Sequence, residues 1–147
     1  MYSNHDHCIE VCNSLLRGEL SAIETYDQAV DRYEAEPIAA DLHRIRLEHL
    51  HSVARLADNI RSMGGTPEHH SGAWGIFTKA VQGTANLFGA QSAVESLRQG
   101  ELKGQHDYEQ ALEDEDVMPP CKDMIRQELL PQIKRHLSEL MELEQAV

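Results

Sequence analysis

Residues 15–30 read LLRGELSAIETYDQAV, and residues 97–112 read LRQGELKGQHDYEQAL. Set residue against residue, the two segments agree at Gly18/Gly100, Glu19/Glu101, Leu20/Leu102, Tyr26/Tyr108, Gln28/Gln110 and Ala29/Ala111. A second pair follows: HLHSVARL from His49 lies over HLSELMEL from His136, matching His49/His136, Leu50/Leu137, Val53/Leu140 and Leu56/Leu143. Internal self-similarity of this kind marks the duplication of one supersecondary unit. Around the first segment Ile9, Cys12, Leu16, Glu19, Ile23, Tyr26, Val30 and Tyr33 recur at alternating steps of three and four, the seam of an amphipathic helix. The repeated unit is therefore a helical hairpin.

Working outward, Pro37 suits the first turn of a second helix, whose Ile38, Leu42, Ile45, Val53, Leu56, Ile60 and Met63 share one face until Gly64-Gly65-Thr66-Pro67 stops it. Ser92 followed by Glu95 has capping-box spacing, which predicts a third helix from there to about Glu115 with Val94, Leu97, Glu101, Tyr108 and Leu112 inward. Pro119 and Pro120 launch a fourth, with Ile125, Leu129, Ile133, Leu137, Leu140 and Leu143 on one side. Pro131 lies inside it and is expected to bend it, because proline removes a backbone donor. Residues 66–90 are too long for a hairpin loop and predict a crossover with one short amphipathic helix carrying Trp74, Ile76, Phe77, Val81, Leu87 and Phe88. No useful β-alternation occurs, so residues 1–147 read as a single all-α domain, a four-helix bundle built from a duplicated hairpin.

The chain has 147 residues, 41% of them hydrophobic, and a formal net charge of −12. That excess of negative charge repels phosphate backbones and anionic headgroups, so nucleic acid and membrane surfaces are excluded as expected partners. The opening MYSNHDH lacks the basic and apolar regions of a signal peptide, and no apolar run approaches the ~20 residues of a membrane span. Three cysteines do not make a disulfide framework. The expected location is the cytoplasm. The apolar crossover residues exceed what one short helix hides, which predicts a homodimer.

What the two repeats share includes Glu19, His49, Glu101 and His136, four polar residues inside apolar stripes. A carboxylate in an apolar interior costs several kcal/mol unless compensated. Two compensators use the same four residues. One is a divalent transition metal such as iron, manganese or zinc, bound by carboxylate oxygens and neutral imidazoles; the other is hydrogen bonding within the layer, which pins helix register. Tyr26 and Tyr108 are inward tyrosines whose hydroxyls need partners, and the buried carboxylates are available ones.

The Glu19/Tyr26 pair repeated as Glu101/Tyr108, together with the long crossover, resembles the first and third helices of the ferritin-like superfamily of di-iron carboxylate bundles. In finer detail GGTPE after helix two, GAWGIFTKAV in the crossover and the Pro-Pro-led last helix are similar to a bacterial branch of that superfamily known as a domain of unknown function. The resemblance implies a ferritin-like bundle, and it makes an iron-like ion the candidate for the metal that Glu19, His49, Glu101 and His136 could hold. It also implies a Glu-x-x-His pair on helices two and four, but the positions three before His49 and His136 are Arg46 and Ile133. A literal Glu48-x-x-His51 exists on helix two, pointing away from the apolar stripe. A di-iron oxidoreductase therefore lacks its bridging carboxylates in register, and a metal-free interaction module stands as the alternative to metal binding.

Other groups are weaker signals. His5, Cys8 and Cys12 step along one face near His7, a soft-metal spacing that buried thiols also satisfy. Cys121 reads as a helix-start residue without a spaced partner. Glu113-Asp114-Glu115-Asp116 opposes the dipole of a helix end and is expected to fray. His69 and His70 fall in a glycine-flanked loop. No nucleophile elbow, phosphate-cradling glycine loop or nucleotide fingerprint is present, so the sequence gives little support to nucleophilic catalysis.

Overall fold

Seams spaced at three and four can bury only one face of a helix, and here they do so as two hairpins. A computed structural model describes residues 4–71 and 89–147. The first hairpin is α1 (Asn4–Arg32) with α2 (Ile38–Ser62). The second is α3 (Ala90–Glu113) with a composite rod made of α4 (Pro119–Met124), a π-helical turn (Ile125–Leu129) and α5 (Leu130–Ala146). α1 packs chiefly on α2 and α3 on α5, while α1 against α3 joins the hairpins. No strand occurs among the described residues. The crossover residues Trp74, Ile76, Phe77, Val81, Leu87 and Phe88, and the short helix expected there, lie outside the described residues.

The helix ends follow local chemistry, with two departures from expectation. α2 stops where Gly64 takes φ 83°, and the Gly64 and Gly65 N–H groups cap the Arg61 and Ile60 carbonyls at 3.0 Å each. Gly65 also lets α1 approach: a Cβ there would sit 2.8 Å from Ile9 Cγ2. α3 opens at Ala90 rather than at Ser92, because Gly89 at φ 83° turns the chain into the helix earlier, and no side chain caps it. It closes at Glu113, where Asp114 turns extended and its carboxylate meets His7 Nε2 at 2.6 Å. The acidic run is thus tied to α1 at Asp114. Pro131 is the second residue of α5, with one residue between it and the π turn, a wider winding of the kind found where a helix accommodates an irregularity.

The apolar interior is divided. One cluster gathers Cys12, Leu16, Leu56, Ile60, Ile125 and Leu129 with their neighbours, and the other gathers Tyr26, Leu42, Ile45, Val94, Leu97 and Leu140 with theirs. On every one of the four rods a polar residue separates the two: Glu19 on α1, His49 on α2, Glu101 on α3 and His136 on α5. These four are 4%, 2%, 3% and 0% exposed.

Candidate metal centre

Each residue of the polar layer points inward because it occupies a seam position, so the helical period that builds the core also brings the four together. His49 is the hub. Its Nδ1 faces Glu19 Oε2 at 2.5 Å, and its Nε2 faces Glu101 Oε1 at 2.6 Å. The tyrosines close the layer reciprocally: the Tyr26 hydroxyl donates to Glu101 at 2.8 Å and the Tyr108 hydroxyl to Glu19 at 2.6 Å. Each hairpin's tyrosine serves the other hairpin's carboxylate. The Tyr26 ring also stacks on His49, with centroids 5.4 Å apart, and the His136 ring lies 4.9 Å from His49.

His136 departs from the symmetry. Its Nε2 meets Glu48 Oε1 at 2.7 Å, across the α2/α5 contact that Gln132 reinforces by donating to Ser52 Oγ at 2.7 Å. Glu48 is half-buried, and its carboxylate joins the layer from the edge of α2. His51, its partner in the literal Glu-x-x-His match, is turned out with 60% of its side chain exposed. His51 points away from the stripe, as expected, whereas the long side chain of Glu48 reaches sideways to a neighbouring helix.

Electrostatics follow from burial and pairing. Burial works against a charged imidazole, but Glu101 and then Glu19 outweigh it and hold His49 well above the ordinary histidine value. Burial works against the Glu101 carboxylate too, and the His49 charge outweighs it, leaving Glu101 well below the usual carboxylate range. Burial, then the facing carboxylates, push the Tyr26 and Tyr108 hydroxyls far up, so both stay protonated donors.

Two ligand atoms are left over. His136 Nδ1 lies 3.3 Å from Glu101 Oε1, outside hydrogen-bond alignment, and neither Nδ1 nor Glu101 Oε2 has a hydrogen-bond partner among the described residues. One ligand atom each from His49, Glu101 and His136 falls within 4.8 Å of the others, the reach of a single ion. Glu19 stands on the far ring nitrogen of His49. A pocket between α1 and α3, walled by the small residues Gly18, Ala22, Gly100 and Gly104, leads to Glu19, His49 and Glu101.

A second cluster lies in the other half of the core. Cys12 Sγ and Cys121 Sγ are 3.0 Å apart, and Cys8 joins them within 4.8 Å. Cys121 does sit in the first turn of α4, as expected, but it has a partner across the bundle that sequence spacing did not reveal. His5 is exposed and stands outside this cluster. The sulfur contact with Cys121, then burial, raise Cys12 far above the ordinary thiol value, and burial raises Cys8. His69 and His70 are exposed.

A family model described as Domain of unknown function (DUF2383) matches residues 7–114, which takes in α1, α2 and α3. His136, Cys121 and the composite rod lie beyond the match. No curated protein and no solved structure matches the chain.

Proposed function

The chain belongs to this family, and from that premise we propose that it is a ferritin-like bundle protein that holds one divalent transition metal in its core polar layer. His49, Glu101 and His136 are the ligands in this reading, and Glu19 and Glu48 orient the two imidazoles through their outer ring nitrogens. That division of labour is usual at metal sites, where a ligating histidine gives its other N–H to a carboxylate. The observation that carries the proposal is the pair of buried, unpartnered ligand atoms, Glu101 Oε2 and His136 Nδ1, since buried polar atoms normally have a partner. Two imidazoles and a carboxylate suit iron(II), manganese(II) or zinc. A bound ion would offset the excess of carboxylates over imidazoles and supply Lewis-acid or one-electron chemistry.

Manganese(II) is the discriminating probe, because carboxylate and imidazole accept it while thiolates favour softer ions. Protein loaded with manganese(II) or anaerobic iron(II) and desalted should retain about one ion per chain by elemental analysis. His136→Ala should abolish retention, and Glu48→Gln should weaken it by about 10–100-fold, as loss of an orienting partner does. Retention equal in wild type and His136→Ala overturns the proposal.

A second reading has its own support. Both nitrogens of His49 face carboxylates at 2.5 and 2.6 Å, the arrangement of an imidazolium bridging two anions without metal. In this reading the layer pins register, the chain is an interaction module, and wild type retains no ion. A di-iron oxidoreductase has less support: Arg46, in the place of one bridging carboxylate, pairs with Asp27, and Ile133, in the place of the other, is buried in the core. We further propose that residues 1–147 form one cytoplasmic domain that pairs as a homodimer and avoids nucleic acid and membranes. The net charge of −12 supports the avoidance, and no described helix is long and apolar enough to cross a membrane. Light scattering across a concentration series tests the dimer.

A further inference from the structure

We propose that Cys8, Cys12 and Cys121 form a second, independent site, a three-thiolate pocket for a soft d10 cation of the copper(I) class. The sulfurs lie within 4.8 Å of one another, and the three side chains are 0%, 0% and 1% exposed. A trigonal centre with metal–sulfur bonds of about 2.3 Å needs its sulfurs about 4 Å apart. The Cys12–Cys121 pair, at 3.0 Å, has to open by about 1 Å to reach that spacing. Two N–H groups already point at the sulfurs: Met118 N–H toward Cys8 at 3.5 Å and Asn59 Nδ2–H toward Cys12 at 3.4 Å. Such donors support the negative charge of thiolates at metal–sulfur sites.

Convergence of the third sulfur is the feature that points to a ligand. A disulfide would use only two of the three, and burial of thiols as small hydrophobes does not require them to meet. No histidine or carboxylate joins the three sulfurs within the same reach among the described residues, and Leu16, Ile60 and Ile125 belong to the surrounding apolar cluster. A dry cage with three soft donors and no fourth suits a three-coordinate soft cation better than tetrahedral zinc. Binding exchanges three thiol protons for one cation, with no change in oxidation state. The site does not depend on the Glu/His layer.

The test uses full-length, reduced protein under anaerobic conditions, with copper(I) supplied as its acetonitrile complex in competition with a chromophoric copper(I) chelator. About one copper(I) per chain should be withheld from the chelator, with three sulfur neighbours in the copper X-ray absorption spectrum. Cys8→Ser should weaken binding by more than about 100-fold, beyond the usual cost of losing an orienting group, while its circular dichroism matches wild type. Copper(I) binding unchanged in Cys8→Ser, or two sulfur neighbours in wild type, overturns the proposal in favour of a two-thiol site. Equal binding by a variant with all three cysteines replaced by serine overturns it in favour of another site. Failure of wild-type protein to retain copper(I) with all three thiols titratable after denaturation overturns it outright. Should a serine variant fail to fold, the wild-type absorption spectrum alone decides.

Discussion

Glu101→Gln, made in protein stripped of metal, interrogates the polar layer directly. The substitution keeps the shape of the side chain and an acceptor for the Tyr26 hydroxyl, which donates to Oε1 at 2.8 Å. It removes the charge that faces His49 Nε2 at 2.6 Å. Breaking a buried ion pair by removing one partner costs about 3–5 kcal/mol. Glu19 still faces the other ring nitrogen at 2.5 Å, which places the loss at the lower end, about 3 kcal/mol. In a chain of this length each kcal/mol moves Tm by about 2–4 °C, so the variant should melt about 6–12 °C lower. The pH profile sharpens the test. His49 is raised from 6.5 in the fold, so its contribution is full below about 6.5 and is lost as pH rises toward its folded value. Glu101 is lowered from 4.5, so its contribution is present above about 4.5 and is lost as pH falls. Between those values the pair stabilises wild type most; the variant should lose the acid-side fall and show a shallower alkaline one. Circular-dichroism melts in chelator from about pH 4 to about pH 9 read both effects. A variant that melts within about 1 °C of wild type, less than 1 kcal/mol corresponds to, with an unchanged pH profile, would refute the charged, tightly paired layer.

Gly65→Ala places a methyl group 2.8 Å from Ile9 Cγ2 and 3.0 Å from Ile60 Cγ2, branches of β-branched side chains that are stiff at χ1. Urea denaturation should show a loss of about 1–3 kcal/mol, the cost of overpacking, and combining it with Ile9→Ala should cost less than the sum of the two; strict additivity would mean that α1 and the α2 stop do not touch there. Asp114→Asn should return His7 toward its ordinary value in an NMR titration, because the Asp114 hydrogen bond is the main cause of its rise. An unshifted His7 would show that the bridge between α1 and the end of α3 does not form in solution.

Much of this architecture is legible in the sequence, because the signals that carry it are periodic. A glutamate in an apolar seam is visible as an exception to its neighbours, and the repeat makes Glu19, Glu101, His49 and His136 visible twice over. Glu48 escapes because it sits beside the stripe: helical phase places its Cα off the core, and only the length of the side chain and the position of α5 bring its carboxylate to His136. The meeting of Cys121 with Cys12 escapes for a different reason, since a contact across 109 positions leaves no trace in local spacing. The early start of α3 shows a capping pattern losing to a glycine whose φ of 83° had already set the helix axis. Proline at 131 marks the rod as irregular, and the π turn of Ile125–Leu129 just before it is a form of irregularity that no residue spacing announces.

The division of the interior sets how the two ends of the molecule communicate. Neither apolar cluster is continuous with the other on any of the four rods, so loosening at the Cys12 end reaches the Leu97 end through helix backbone and through the charged groups between. Cooperativity of unfolding thus becomes a property of the layer's ionic state. With His49 charged between Glu19 and Glu101, the two ends are expected to open together and to exchange their amide hydrogens as one unit. Neutralising the hub should decouple them into two opening units with separate free energies, a distinction that native-state hydrogen exchange resolves residue by residue.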